Sequence, residues 1–398
     1  MNNKKRSKNS QNINKIIFHI IPNFIPGGAE NQLKLLVEES LGYEHVIISI
    51  KNNPNIFEES KLKNNINGRI KIISLKLKLN PLSLLYSFNL LLITLKKYKP
   101  SIIQYWMYHA QFLSLIISCI YKTKIIWCIR HGSFSKKTKL STRIISKINS
   151  FFSETIPDLI IYNSNAGKKI HEANGYSSLN SKYIFNGGND VFRFSNIYRK
   201  EFREELKINE NIFIVGSIAR YSPQKSHEIL VECFSSVLKN KKNAKLLLCG
   251  RGLNRRNFEL INLLKKYDIE NSTFLCGYRS DVNRILNGID LYISTSSFGE
   301  GFPNIILEAS YTGLSIIATD VGDTKNIISK KGILFDIGDK ESLIVNLRDQ
   351  YKLFLEKLEN DEKYFLERKN LSDFYRTKFT TKQMINNYTS EWDKLLCI

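Results

Sequence analysis

The sequence predicts an α/β fold made of two Rossmann-like parallel-sheet domains. The chain has 398 residues, which is ample for two domains of ordinary size. Short apolar segments recur along its whole length, and each is followed by a turn and an amphipathic stretch. This alternation is typical of strands and helices in parallel sheets. A polar, charged stretch separates two halves that share the pattern.

The predicted strands are short runs of β-branched residues and leucine, a composition suited to strands covered on both faces. In the first half they are Lys15–Ile21, His45–Ile50, Lys71–Leu75, Ser101–Tyr105, Lys124–Ile129, Leu159–Asn163 and Ser181–Ile184. In the second half they are Ile212–Ala219, Ala244–Cys249, Thr273–Cys276, Leu291–Thr295, Ser315–Thr319 and Gly332–Phe335.

These strands set the expected domain boundaries. Residues 1–14 form a disordered basic tail, and residues 15–190 form the first domain. Because Asp190–Asn209 is polar and poor in strand or helix signals, residues 191–210 are predicted to be a linker. Residues 211–369 form the second domain. Residues 370–398 form a helical segment, with a last helix near Thr381–Leu396, that is expected to pack back toward the first domain.

Composition narrows the class of protein. Apolar residues make up 42% and charged residues 24%, as in soluble globular proteins. No apolar run reaches the roughly 18 residues of a membrane span, and Leu84–Leu95 and Ala110–Tyr121 are predicted to be buried helices. The basic start lacks a cleavage site, so a cytoplasmic location is expected. Six scattered cysteines without a Cys-x-x-Cys pair predict neither a disulfide framework nor a metal site.

The net charge of +22 suits three kinds of partner: nucleic acid, an anionic membrane surface, or phosphorylated substrates. Ligands of parallel sheets bind beyond the carboxyl ends of the strands, so the strand-to-helix turns are the informative places. In the first turn, Gly27 and Gly28 precede a helix and allow backbone N–H groups to approach an anion. A plain flexible turn explains the same pair.

The second turn carries two cations. Ser222 and Pro223 are predicted to start a helix, which places Lys225 at its third position, with Arg220 just before the turn. Cations at a positive helix end are unfavourable unless an anion of higher charge lies between them. A diphosphate fits this requirement. Solvated surface cations are the competing interpretation in so basic a protein.

The third turn carries the most specific motif. A strand ends in a loop with Gly299, Glu300 and Gly301, followed by Phe302, Pro303 and Asn304, and then by a helix with Glu308. Glu300 is placed to accept hydrogen bonds from sugar hydroxyls. Glu308 lies roughly 7 Å further along the helix, where it suits a ribose. Glu300 alone could be a solvated loop acid, and Glu308 alone could compensate the helix dipole. Neither explanation accounts for the whole block.

Two further turns carry histidines. His109 follows the strand that ends at Tyr105, and Arg130 and His131 follow the strand Lys124–Ile129. A histidine at a helix start binds a ligand or only the neighbouring backbone, so both interpretations stay open.

Together these residues resemble glycosyltransferase family 4. The resemblance rests on Arg220 with Lys225, on the Gly299–Glu308 block, and on the following Gly313–Gly322 stretch. The Gly27-Gly28 turn, Trp106–Ala110 and Asn186-Gly187 are similar to the first-half pattern of that family. The match covers nearly the whole chain from about Lys15.

The resemblance implies a GT-B fold, with two Rossmann-like domains facing across a cleft, and a retaining transferase that needs no bound metal and no cofactor. The nucleotide-sugar, with a UDP-sugar expected, is a substrate held mainly by the second domain. The acceptor binds the first domain. By carry-over, Arg220 and Lys225 neutralise the leaving diphosphate, Glu300 holds the donor sugar and Glu308 the ribose.

The resemblance also implies that His109 contacts the sugar from the opposite wall. Donor contacts are further expected at Gly27, Gly28, Gly301, Phe302, Pro303 and Asn304. One departure is that Arg251, between Gly250 and Gly252, replaces the usual acid of the family. This leaves the nucleobase contacts at Gly277 and Tyr278 open.

The acceptor side carries a basic amphipathic stretch. Its cations are Lys136, Lys137, Lys139, Arg143 and Lys147, interleaved with apolar residues. One interpretation is peripheral binding to an anionic membrane, with a lipid-linked saccharide of surface-polysaccharide synthesis as acceptor. The other is a solvated helix in a lysine-rich protein.

Two alternative functions stay open. A nucleotide-sugar epimerase has the same architecture but needs no acceptor. A basic nucleic-acid-binding protein is the alternative from another class, although no helix-turn-helix, zinc or RNA-binding signature is present. Nucleic acid is therefore not an expected partner.

Overall fold

The structure is a computed structural model that describes residues 15–51, 56–78, 80–133, 138–358 and 361–397. The thirteen strands of these described residues form two sheets whose neighbouring strands are all parallel. Each predicted strand overlaps one of them, which confirms the α/β fold with two parallel-sheet domains. The predicted basic tail, residues 1–14, lies outside the described residues.

The first sheet has the order β3-β2-β1-β4-β5-β6-β7. Its strands are β1 (Ile16–Ile21), β2 (Glu44–Lys51), β3 (Ile70–Leu77), β4 (Ile102–Trp106), β5 (Lys124–Ile129), β6 (Leu159–Tyr162) and β7 (Ser181–Tyr183). Its helices are α1 (Gly28–Glu39), α2 (Pro81–Tyr98), α3 (Met107–Ile120), α4 (Leu140–Phe152) and α5 (Asn165–Ala173).

Alternate residues of β1 belong to different hydrophobic cores because successive side chains of a strand point to opposite faces of the sheet. Ile17 and Ile21 pack in the cluster that contains α1. Phe18 and Ile20 pack in the cluster that contains α2, α3 and α4. Helices therefore cover the first sheet on both sides, as its continuous apolar strands require.

The second sheet has the order β10-β9-β8-β11-β12-β13. Its strands are β8 (Phe213–Ile218), β9 (Ala244–Cys249), β10 (Thr273–Gly277), β11 (Leu291–Ser294), β12 (Ser315–Thr319) and β13 (Ile333–Phe335). The remaining helices are α6 (Asn196–Glu205), α7 (His227–Leu238), α8 (Phe258–Lys266), α9 (Val282–Gly288), α10 (Asn304–Tyr311), α11 (Thr324–Ile328), α12 (Lys340–Lys357), α13 (Asp361–Arg376) and α14 (Thr381–Leu396).

The segment predicted to be a linker poor in helix signals contains α6. Charged residues of this polar helix belong to a buried cluster. Arg199 donates to Asp290 Oδ1 at 2.7 Å, and Arg203 lies 3.4 Å from Asp290 Oδ2. Both arginines and Asp290 are buried. The prediction of a segment without a helix was wrong. In the sequence these charges resemble solvated residues, because nothing there shows that Asp290 is their partner.

Helix α14 packs on the first sheet although it follows the second domain. Trp392 and Tyr388 are fully buried in the same cluster as α1. Trp392 Nε1 donates to Gln104 Oε1 on β4 at 3.1 Å. The end of the chain therefore completes the core of the first domain.

The apolar runs predicted to be buried helices are only half buried. Leu91 and Leu95 of α2 lie in the core, but Leu85 and Ile93 are 60% and 62% exposed. Ile116 and Ile120 of α3 are also exposed. A layer of helices on one face of a sheet buries only its inner side, so the outer apolar residues remain on the surface. Among the described helices, none combines the length and apolar character that a membrane crossing requires.

Candidate functional site

The loop between β11 and α10, residues 295–303, is held by both domains, and we call it the Glu300 loop. Gly299 N donates to Ser133 Oγ at 3.1 Å, and Asp323 N donates to Gly301 O at 2.8 Å. The backbone of Gly132 approaches so closely that a Cβ atom there would stand 1.5 Å from the Glu300 carbonyl oxygen. The loop is thus fixed where the two domains meet.

Glu300 is ion-paired with Lys225. Lys225 Nζ lies 2.6 Å from Glu300 Oε1, and only 17% and 11% of the two side chains is exposed. Gln224 Nε2 and Ser296 Oγ each donate to the same oxygen at 3.1 Å. Burial opposes the ionisation of Glu300, but Lys225 and these donors hold its pKa below the usual value. The structure therefore brings together two of the predicted site residues as a charged pair.

The turn that carries Lys225 is not the predicted helix start. Pro223–Lys225 form a short 3-10 turn, Ser226 adopts a left-handed conformation (φ 45°), and α7 begins only at His227. The Ser222 side chain does not cap a helix. Hydrogen bonds to the Glu300 loop explain the difference: Thr295 Oγ1 donates to Lys225 O at 2.9 Å, and Ser297 N donates to Gln224 O at 2.9 Å. The carbonyl groups of Gln224 and Lys225 therefore accept hydrogen bonds from the Glu300 loop and not from a helix.

Arg220 lies beside this pair but is exposed. Its Nη2 donates to Gln224 Oε1 at 2.6 Å, and Gln224 in turn donates to Glu300. The charge of Arg220 also contributes to the low pKa of Glu300. Two cations and one carboxylate thus share a small region at the carboxyl ends of β8 and β11.

Glu308 lies in α10 and lines a cleft of about 1030 Å³ between the domains. Burial raises the pKa of this carboxyl group to about 7. Asn304, at the start of the same helix, lines the cleft as well. On the opposite wall, α1 begins at Gly28, and Asn304 Nδ2 donates to Gly28 O at 3.0 Å. Of the predicted contacts, Asn304 and Glu308 therefore line one cleft, and Gly28, which follows Gly27, contacts Asn304 from the first domain.

The structure distinguishes the two histidine turns. Partial burial lowers the pKa of His109, and the charges of nearby Lys51 and Lys139 lower it further. His131 instead lies beside the Glu300 loop: a Cβ atom on Gly299 would be 3.3 Å from His131 Nε2. Burial lowers the pKa of His131, with Glu300 acting in the opposite direction and Arg220 in the same one. The structure thus places His131, and not His109, beside Glu300 and Arg220.

The predicted contact Phe302 and the departing residue Arg251 both have partners within the protein. The Phe302 side chain is 4% exposed and packs in the core of the second domain, 5.3 Å from the ring of Phe379. Only its backbone is left for a ligand. Arg251 donates to Pro26 O of the first domain at 3.0 Å, and its guanidinium lies 5.3 Å from the ring of Tyr278. The residue that departs from the family pattern therefore bridges the cleft.

The basic stretch is described in part. Lys136 and Lys137 lie outside the described residues. Lys139 precedes α4, and Arg143 and Lys147 are exposed on it. Exposed apolar side chains lie on the same helix: Leu140, Ile144, Phe151 and Phe152.

Sequence reasoning missed Gln224 and Ser296. Both donate to Glu300. Gln224 stands between the two predicted cations, and its position there was an available signal. Ser296 lies in a run of four hydroxyl residues, 294–297, and only the folded loop shows which of them contacts Glu300.

Comparison with known proteins agrees with this geometry. Residues 198–363 match the family model of the glycosyl transferases group 1. An uncharacterized glycosyltransferase of Methanocaldococcus jannaschii is 28% identical over 211 residues, which are 52% of this chain and 51% of that protein. The UDP-Gal:alpha-D-GlcNAc-diphosphoundecaprenol alpha-1,3-galactosyltransferase of Escherichia coli is 25% identical over 226 residues, which are 54% of this chain and 57% of that one. The chain spans about half the length of these curated relatives.

The likeness to solved structures extends over both domains. HepE of Anabaena, in complex with UDP and glucose, has a TM-score of 0.79 at 18% identity, covering 96% of this chain and 100% of the other. This likeness shows the fold. Residues 198–363 thus match the glycosyl transferases group 1 family model, and the chain has the GT-B fold.

Proposed function

We propose that the protein is a retaining glycosyltransferase that moves a sugar from a nucleotide-sugar, with UDP as the nucleotide, to an acceptor hydroxyl. Residues 211–369 are the donor domain and residues 15–190 the acceptor domain. The observation that carries the proposal is the Lys225–Glu300 pair at 2.6 Å, with Arg220 attached through Gln224, at the strand ends where the domains meet.

The pair supplies opposite charges for two parts of one donor. Breaking the bond between sugar and phosphate builds negative charge on the diphosphate, which Lys225 and Arg220 stabilise in the transition state. Glu300 accepts hydrogen bonds from hydroxyls of the transferred sugar. The ion pair keeps both side chains ordered before the donor arrives, so little reorganisation is needed when it binds.

Retention in this scheme requires that the acceptor hydroxyl attack the face of the sugar from which the phosphate departs, with no protein nucleophile involved. The leaving phosphate oxygen stays on the face of the sugar from which it departs. It accepts the proton of the incoming hydroxyl on that same face, so the new bond has the configuration of the old one. His131, which follows β5 of the first domain and lies beside the Glu300 loop, is assigned to contact the sugar in place of His109.

Glu308 is assigned to the ribose. A carboxyl group with a pKa of about 7 in a cleft is poised to accept hydrogen bonds from two vicinal hydroxyls once it ionises. Gly28 and Asn304 begin two helices whose N-terminal N–H groups suit the diphosphate.

The acceptor is proposed to be a lipid-linked saccharide in polysaccharide synthesis, reached at an anionic membrane surface. The Escherichia coli relative is named for a UDP-Gal donor and a diphosphoundecaprenol-linked acceptor. In this chain, exposed apolar residues of α2, α3 and α4 lie on one layer of the acceptor domain, with Arg143 and Lys147 among them. Apolar side chains that insert and cations that attract anionic lipid are the two requirements of peripheral binding.

The test is a donor panel followed by product analysis. Thermal stability is measured while UDP-, GDP-, ADP- and dTDP-sugars are titrated into the protein. A ligand at 100 times its dissociation constant stabilises the folded state by about 2.7 kcal/mol. The active donor is then incubated with lipid-linked saccharides, and the anomeric configuration of the product is read by NMR. Net inversion excludes the retaining mechanism. A changed donor sugar in the absence of acceptor identifies an epimerase instead.

A further inference from the structure

We propose that Arg130 is a positioning residue that sets the geometry of the diphosphate site through two asparagine side chains. Arg130 Nη1 donates to Asn186 Oδ1 at 2.6 Å, and Asn186 Nδ2 donates to Asn304 Oδ1 at 2.7 Å. Asn304 Nδ2 donates to Gly28 O at 3.0 Å. This chain, which we call the amide relay, crosses from the end of β5 to α10 and back to α1. The inference rests on the proposed function and concerns how its donor site is held.

The direction of the amide relay is determined by its two ends. A guanidinium only donates and a backbone carbonyl only accepts, whereas each asparagine amide does both. With Arg130 at one end, the oxygen of Asn186 must point toward it, and its NH₂ group must point toward Asn304. Asn304 is then oriented in the same way toward Gly28. Arg130 therefore dictates the orientation of an amide that it does not touch.

The relay ends between two helix N-termini. Gly28 is the first residue of α1, which has 12 residues, and Asn304 is the first residue of α10, which has 8. Each N-terminus carries partial positive charge and unpaired N–H groups. Two such ends repel each other. The hydrogen bond from the Asn304 amide to Gly28 O holds them close together. A diphosphate bound between them meets N–H groups from both domains at once.

Both ends of the relay are held rigidly. Arg130 Nη2 donates to Tyr388 OH of α14 at 2.8 Å, and the guanidinium lies 4.3 Å from the ring of Trp106. Gln32 of α1 pairs with both backbone groups of Gly187, at 3.0 Å to its oxygen and 2.9 Å from its nitrogen. The loop that carries Asn186 is thereby fixed to the same helix that receives the relay.

The experiment compares binding of UDP and uridine, by calorimetry, to the full chain and to two variants of Asn186. Asn186→Ala removes the link without a change of charge. Asn186→Asp keeps a partner for Arg130 but has no donor, so Asn304 must turn its NH₂ group away from Gly28. Both variants are expected to lose about tenfold in affinity for UDP, on the order of one hydrogen bond, with uridine affinity unchanged.

Matched variants separate the relay from other effects. Asn240→Asp adds the same charge at an exposed position after α7, outside the cleft, and leaves the relay intact, so UDP affinity is expected to stay at the wild-type value. Arg130→Lys keeps a donor-only end and is expected to retain more UDP affinity than Arg130→Met.

Three results are decisive. Equal UDP affinity of wild type and Asn186→Ala overturns the relay, as does a loss that is the same for uridine and UDP. A loss confined to UDP, with rescue by lysine at position 130, supports it. If the wild type binds none of UDP, GDP and ADP, the proposed function itself fails, and the relay loses its ligand with it.

Discussion

His19 Nε2 lies 3.0 Å from His45 Nδ1 inside the first domain, and both rings are fully buried. Trp106 Nε1 donates to His19 Nδ1 at 3.3 Å, and an indole N–H can only donate. His19 therefore carries its proton on Nε2 and donates to His45. The remaining His45 nitrogen lies 2.9 Å from Ser40 Oγ. Both imidazoles are neutral in this arrangement.

The first prediction is that acid destabilises the first domain through this pair. Burial, and then Arg69, lower the pKa of His45 to about 3, and burial lowers that of His19 as well. A histidine with a lowered folded pKa binds its proton more readily in the unfolded chain. Its stabilisation is complete above the unfolded pKa of about 6.5 and is lost as the pH falls toward the folded value. Each such histidine contributes a slope of about 1.4 kcal/mol per pH unit.

Urea unfolding between pH 7.5 and pH 5 measures this slope. His45→Gln keeps one donor and one acceptor but cannot titrate, and it is expected to make the dependence shallower by the contribution of one histidine. His109→Gln is the comparison, because His109 is exposed and its pKa is lowered only by partial burial and neighbouring lysines, so a smaller change of slope is expected there. An equal slope in wild type and His45→Gln contradicts the assignment.

The second prediction concerns the Lys225–Glu300 pair. Lys225→Met leaves a buried carboxylate without its cation, and Glu300→Gln leaves the reverse, so both single variants are expected to lose stability. The double variant removes both charges and is expected to regain part of that stability. Turnover should fall about 100-fold or more in all three, because the charges are needed in the transition state.

Chemical denaturation and kcat/KM on the same preparations separate the two effects. A double variant that regained turnover along with stability would show that the pair is structural. Stability effects that simply add would show that the two charges do not act on each other.

The third prediction is that a single methyl group at Gly132 disables the site. The added Cβ would stand 1.5 Å from the Glu300 carbonyl oxygen and 2.4 Å from its carbon, so the loop or the first domain must move. Gly132→Ala is expected to lose most kcat/KM. Gly42→Ala is the matched control, because a Cβ atom there meets nothing within 4 Å. Equal turnover of the two variants contradicts the close approach.

The local sequence pattern predicted the strands, but it did not predict which residues distant in the chain contact each other. Strand periodicity is local, and every predicted strand overlaps one in the structure. Lys225 and Glu300 were found because each stands in a motif of its own. Helix α6 was missed because Asp290, the buried carboxylate that pairs with Arg199 and Arg203, lies 91 and 87 residues away from them. His109 and His131 follow strand ends in the same way, and only the packing of the domains separates them.

The fourth prediction tests that distant partner. Asp290→Asn leaves the buried Arg199 and Arg203 with only the partly exposed Glu210 as a carboxylate partner, which is expected to destabilise the protein by about 3 kcal/mol. Asp281→Asn is the control. Its partners Arg279 and Arg284 are about a quarter exposed, and surface pairs of this kind contribute about 1 kcal/mol or less. Urea unfolding of both variants at pH 7.5 measures the difference, and similar midpoints contradict the buried cluster.

The fifth prediction concerns the surface of the acceptor domain. Phe151 on α4 and Phe258 on α8 are each 80% exposed, so replacing either with serine removes the same apolar area from the surface. Exposed cations accompany both, Arg143 and Lys147 on α4 and Arg255 and Arg256 just before α8. Only α4 presents further exposed apolar side chains, at Leu140, Ile144 and Phe152, so that insertion and attraction to anionic lipid act together there. Flotation with vesicles containing phosphatidylglycerol is therefore expected to fall for Phe151→Ser and not for Phe258→Ser. Raising the salt concentration should weaken binding of the wild type, because the cations are screened. Equal flotation of the two variants, or flotation that does not depend on anionic lipid, removes the membrane from the proposed function and leaves the donor site untouched.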